Sequence, residues 1–161
     1  MMYAERLEKA NSFDEIFSVV KSVVAKKLGL HRAGLSLVLA DLPPNILALH
    51  EMGSNTIVMN RKTLEAISVQ TEDKVVRNSY IFVILLHEYL HSFGFTDERK
   101  VREMVANVVV STFGREHPAY TAAVNPLTLL DGKQIHLGSL SPPRPPTIVR
   151  DFDRESTPYI G

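Results

Sequence analysis

His87-Glu88-Tyr89-Leu90-His91, continued by Ser92-Phe93-Gly94, is the stretch from which the rest of the chain is read. Its two histidines are four residues apart, so on an α-helix they stand one above the other and can point at a single ion. Glu88, the neighbour of the first, projects to the side, where a carboxylate can touch a water held in an open metal position. The plain alternative is a buried helix that carries two histidines by chance, and the surrounding sequence has to decide between them.

Upstream, Tyr80 to Leu86 is apolar, and Thr71-Glu72-Asp73 opens the helix with acidic residues in its first turn, as the helix dipole favours. Gly94 is placed to end it. Thr96 or Asp97 then caps a second helix that runs to Phe113 and stops at Gly114, with Val101, Met104, Val105, Val108 and Val109 on one stripe. Arg115 to Pro118 forms a corner, and Pro118 begins a last helix through Ala119 to Val124. Near the start, Ser12 and Glu15 make a capping box, followed by apolar residues at helical spacing until Gly29. Between these helices, Leu35 to Leu39, Ile46 to Leu49 and Thr56 to Asn60 read as strands. They are separated by Asp41-Leu42-Pro43-Pro44-Asn45 and Gly53-Ser54-Asn55. Such short links predict a three-strand meander, antiparallel or mixed, with the third strand at the sheet edge beside a cleft. Arg61 to Ile67 adds a short helix. The expected class is α+β: an N-terminal helix, the meander, the helix with the two histidines and a second helix after it. From Asp131 the composition changes, with Pro142, Pro143, Pro145 and Pro146 in one segment and a polar end. A domain over residues 1–130 and a proline-rich arm over residues 131–161 follow from that change.

The totals narrow the function. The 161 residues suffice for one core of their own. Eighteen basic and eighteen acidic residues cancel without a basic block, which argues against a nucleic-acid partner. No cysteine is present, so no thiolate holds a metal and no disulfide holds the fold. Met1 to Ala10 lacks the apolar centre of a signal peptide, and no apolar run approaches the ~20 residues of a membrane span. A cytoplasmic, soluble protein is expected.

An HExxH helix beneath a small sheet, followed by a second helix, resembles the zincins. The chain is most similar to the minigluzincins, small soluble versions of membrane metallopeptidase catalytic domains. The resemblance covers roughly Ser12 to Gly114 and is specific at His87 to Gly94, with weaker likeness at Asn55 to Asn60 and at Thr96-Asp97-Glu98. It implies a zinc-dependent metalloendopeptidase acting on peptides or unfolded proteins. By the chemistry of the motif, His87 and His91 bind Zn2+ as neutral imidazoles, and Glu88 is the general base for the attacking water. The other function class left open is a zinc-holding interaction or regulatory module that has lost turnover.

The third ligand is open among Asp97, Glu98 and Glu103. Asp97 completes HExxHxxGxxD, a metzincin pattern, but Met104 lies in a helix rather than in the tight turn which that family uses. If the helices pair as a hairpin near Phe95, helical phase puts Glu98 on the stripe that faces the first helix and Glu103 nearer Arg99 and Asn107. Glu98 is therefore the expected ligand. Against it, Glu103 to Asn107 resembles the ExxAD signature of membrane gluzincins, with Asn in place of Asp. His117 and Tyr120 are secondary candidates near the cleft, while His31, His50 and His136 have nothing to single them out. Latent minigluzincins imply one more expectation: the arm, with Asp151, Asp153, Glu155 and a terminal carboxylate, reaches back over the zinc and makes the protein a zymogen.

Overall fold

The apolar run that carries the two histidines forms α4 (Lys74–Ser92) at the centre of the computed structural model, which describes residues 2–125 and 144–154. Asp73 starts this helix, its side chain accepting hydrogen bonds from the Val75 and Val76 amides at 2.9 and 3.4 Å. Those bonds occupy donors that a helix start leaves open. No acidic residue lies in the first turn itself; of the acids expected there, Asp73 acts before the helix, as its cap. Phe82, Ile84, Leu85, Leu86, Tyr89 and Leu90 are all buried, on several faces of α4, which is the signature of a central helix rather than a surface one.

Two helices precede the sheet. α2 (Phe13–Leu28) begins at Ser12 and ends at Gly29, whose φ of 68° supplies the left-handed turn, as its capping box and spacing predict. α1 (Tyr3–Lys9) has no counterpart in the sequence reading: it is one short helix with a single buried residue, Leu7, and no side-chain cap. It is held instead from outside, because the Asn78 amide on α4 donates to the Leu7 and Ala10 carbonyls at 2.8 and 2.9 Å. Tyr89, inside the histidine motif, anchors the back of α4. Its hydroxyl donates to the Arg32 carbonyl and accepts from the Arg32 amide, and its ring meets Phe17 and Phe93 edge to face.

The sheet is mixed, with order β2-β3-β1-β4. β1 (Ser36–Ala40) pairs parallel with β3 (Thr56–Asn60), and β2 (Ala48–His50) pairs antiparallel with β3. The expected meander is thus corrected, since β1 and β2 are not neighbours and β3 is inserted between them. The edge beside the helices is β2, not the third strand. The reason lies in the linker from Asp41 to Leu47. With Pro43 and Pro44 it is not a hairpin turn, and the buried side chain of Asn60 grips it from within. The Asn60 amide donates to the carbonyls of Leu42, Pro43 and Ile46, while its oxygen accepts from the amides of Leu42 and Lys62. Asn60 therefore ends β3, caps α3 (Arg61–Gln70) and shapes the crossing loop at once. Beyond α4 lie α5 (Glu98–Phe113) and α6 (Pro118–Val124), at the places expected of them. No helix among the described residues is long and apolar enough to cross a membrane.

Residues 144–154 belong to this fold and are not appended to it. β4 (Thr147–Val149) pairs antiparallel with β1 and covers the sheet edge opposite β2. Arg144 clasps Asp41 and Glu65 together, with bonds of 2.8–3.2 Å, and holds the Asp41 carboxyl down to about 2. Arg61 donates to the carbonyls of Leu39 and Pro145 from the other side. Further on, Phe152 stacks on Phe17 at 4.3 Å between ring centroids, and Asp153 pairs with Lys21 at 2.5 Å. A proline-rich composition hides three paired residues and two core side chains.

Candidate metal centre

The site is built where α4 stops. The Phe93 amide closes onto the last turn of α4, and Gly94, at φ 102°, turns the chain so that the Phe95 carbonyl faces back toward His91. That carbonyl lies 2.7 Å from His91 Nδ1, and since a carbonyl only accepts, Nδ1 carries the proton. Three residues on, α5 begins under an Asp97 cap, which accepts from the Arg99 and Lys100 amides, and its first residue is Glu98. Glu98 Oε2 stands 2.7 Å from His87 Nε2, and Oε1 stands 2.9 Å from His91 Nε2.

Of the residues proposed from sequence, the structure brings His87, His91 and Glu98 together, with one ligand-type atom from each within 4.8 Å of the others. Among the described residues, Glu103 is exposed and takes no part, and Asp97 is occupied as a helix cap. His117 is drawn away as well: it caps α6 by accepting from the Ala119 amide at 3.0 Å and stacks on Phe113. Tyr120 accepts a bond from Arg115 at 3.1 Å. Residues 144–154 line neither cavity beside the cluster, and Asp153 is buried on Lys21. Covering of the site by the arm finds no support from these residues, while 126–143 and Glu155 to Gly161 lie outside the described residues.

The donor set suits a divalent cation. With Nδ1 protonated toward Phe95, a neutral His91 presents a bare Nε2 lone pair to a carboxylate oxygen at 2.9 Å. Two lone pairs at that distance repel, so a positive centre, proton or metal ion, belongs between them. Bonds of about 2.0–2.2 Å would set tetrahedral ligand atoms roughly 3.3 Å apart, a small adjustment from the spacings here. The charges point the same way. Burial lowers the His87 pKa and favours the neutral ring. Burial works to raise the Glu98 carboxyl, but the charge that His87, His91 and Arg102 offer in the metal-free site outweighs it and lowers it; a bound cation would supply that charge to neutral rings. Glu88 is 7 % exposed, and burial pushes its carboxyl up to about 7, in the range where a group both takes and returns protons.

Two cavities flank the cluster. One, of about 380 Å³, is walled by Ile46, Leu47, Val83, Ile84 and Val105, with His87, Glu88, Glu98 and Arg102 at its polar side. The other, of about 320 Å³, runs along β2 past His50, His87, Glu88 and His91. A larger trough of about 810 Å³ lies between α1, α2 and Phe152, with Arg154 paired to Asp14 at 2.9 Å on its wall. Sequence reading missed Arg102, which contacts Glu98 at 3.5 Å four residues along α5; the i,i+4 spacing was its one available signal. It also missed Phe95, which acts through its carbonyl, and Asn60, whose side chain binds main-chain groups far along the chain; no residue pattern reports either.

Gly94 is a sensitive point. A Cβ there meets nothing within 4 Å, so Gly94→Ala costs only backbone conformation, about 1–2 kcal/mol. Any relaxation of φ also turns the Phe95 carbonyl off His91. Should the cluster hold a divalent cation, affinity for added Zn2+ measured by competition with a chelator is expected to fall roughly 10–100-fold, the usual loss for a ligand's outer partner. No protein-family model, curated protein or solved structure matches the chain.

Proposed function

We propose that the protein is a zinc-dependent metallopeptidase with a zincin-like fold, acting on peptide or unfolded protein. The observation that carries this reading is the convergence of His87, His91 and Glu98 beside the buried carboxyl of Glu88, at cavities bordered by the open edge of β2. The element order also supports it: helix, small mixed sheet, HExxH helix, glutamate-bearing helix.

His87, His91 and Glu98 hold the ion; when bound, zinc supplies Lewis acidity toward a peptide carbonyl and toward water. The chain does the rest. The outer edge of β2, unpaired among the described residues, offers main-chain donors and acceptors to an extended peptide. Apolar walls from Ile46, Leu47, Val83, Ile84 and Val105 take an apolar side chain and keep water from the reacting bond. Glu88, protonatable near neutral pH, removes a proton from the attacking water and returns it to the departing amine nitrogen.

Protein purified without added metal and titrated with zinc is expected to bind one equivalent and to cleave unfolded casein. Glu98→Gln should weaken zinc roughly 100-fold or more, beyond the 10–100-fold loss of an outer partner. Unchanged affinity in that variant, or zinc-loaded protein that leaves casein intact, would sink the reading.

A further inference from the structure

His50 sits on the wrong face of the sheet for an idle histidine. In the β2–β3 pairing, Ala48 lies opposite Met59 and His50 opposite Ile57, and residues paired across strands share a face. Met59 and Ile57 are fully buried, so this is the core face, turned toward α4. At such a position an apolar side chain costs least. The ring of His50 instead lines the 320 Å³ cavity together with His87, Glu88, His91 and Glu98.

Its two nitrogens are unequal. Nε2 lies 2.7 Å from the Ser54 carbonyl, so Nε2 carries the proton and fastens the ring to the β2–β3 turn. Nδ1 is buried and has no hydrogen-bond partner among the described residues. In the neutral ring that leaves a bare acceptor, fixed in orientation by a bond on its far side. A buried acceptor without a partner costs about 1–3 kcal/mol, and native folds keep few of them. The turn that Nε2 holds is also the one that leads β2, the open edge, into β3, so the acceptor is positioned by the element a bound peptide would run along.

We propose that His50 is a further substrate-binding residue, its Nδ1 accepting a main-chain N–H of a peptide laid along β2. This rests on the peptidase reading for its setting, although the hydrogen bond itself is a binding event. Nδ1 is closed to solvent, so a peptide reaches it only when a side chain of the cavity moves; Met52, 57 % exposed and lining the same cavity, is an unbranched one with the freedom to do so.

The test separates the two nitrogens. His50→Gln keeps a donor for the Ser54 carbonyl and removes the Nδ1 acceptor. With zinc bound, its kcat/KM on β-casein is expected to fall about 10–100-fold, the loss of one buried hydrogen bond to substrate. In parallel, the His50 Nδ1 resonance of 15N-histidine-labelled, zinc-loaded Glu88→Gln protein is expected to move upfield when β-casein is added. Wild-type rates in His50→Gln overturn the proposal, as does an unmoved Nδ1 resonance; a fall in rate with a moved resonance supports it. Should wild-type protein bind zinc yet cleave nothing, the peptidase reading fails by itself, and the resonance alone then decides for or against His50.

Discussion

Glu88→Gln is expected to have two large effects of opposite sign. Casein cleavage by the zinc-loaded protein should drop roughly 10²–10⁴-fold, the usual contribution of a positioned acid–base group, with zinc retained. In chelated, metal-free protein the same change should stabilise the fold above neutral pH. Burial raises the Glu88 carboxyl from an ordinary 4.5 to about 7, so the folded state holds a proton that the unfolded chain has already released. The contribution of Glu88 is thus fully present below pH 4.5 and is lost as pH rises through about 7. Over that window the loss amounts to about 3 kcal/mol, since each pH unit between the two values is worth about 1.4 kcal/mol. Urea melts at pH 5 and pH 8 check it: the variant's advantage should be small at the first and near its maximum at the second. An equal difference at both would mean that Glu88 is not held protonated by burial. If wild type and variant are equally inert on casein while both bind zinc, the site is a metal-holding module without turnover.

The second large effect lies far from the metal. Asp153→Ala is expected to cost about 3–5 kcal/mol, because it breaks a buried ion pair and removes the carboxylate that Lys21 and the Leu35 amide share. The side chains of this pair are only 10 % and 0 % exposed, and Asp153 also accepts from the Leu35 amide at 3.2 Å. For a chain of this size the loss corresponds to a fall in Tm of about 10–15 °C. The double change Lys21→Met with Asp153→Leu should recover most of it, since apolar side chains of similar volume avoid the desolvation of both ions. Thermal melts of wild type and the two variants decide the matter, and an Asp153→Ala variant that melts within a degree or two of wild type would show the pair to be solvated.

Much of the helical part of this fold is legible without coordinates, for a physical reason. Ser12, Asp73, Asp97 and Pro118 mark helix starts through bonds made within a few residues, and Gly29, Gly94 and Gly114 mark stops or turns through local backbone angles. The same locality serves the site: His87, Glu88 and His91 share one helix, and helical phase is enough to prefer Glu98 to Glu103. What stays hidden depends on partners far away in the chain. The strand order turns on Asn60 holding a loop some fifteen residues earlier, and the arm docks through Asp153 on Lys21. α1 is held by Asn78, and His50 gains its interest only when its face, its cavity and its unpaired nitrogen are seen together. None of these has a periodicity to betray it.

Binding loops are ordinarily where a protein family gains and loses residues most freely. The loop that walls the 380 Å³ cavity has no such latitude, because Asn60 grips the carbonyls of Leu42, Pro43 and Ile46 at fixed intervals. One inserted or deleted residue would unseat that grip, and with it the cap of α3 and the end of β3. Side-chain exchange at Asn45, Ile46 and Leu47, with the loop length unchanged, is therefore the route by which the lining of this cavity can vary without loss of the grip.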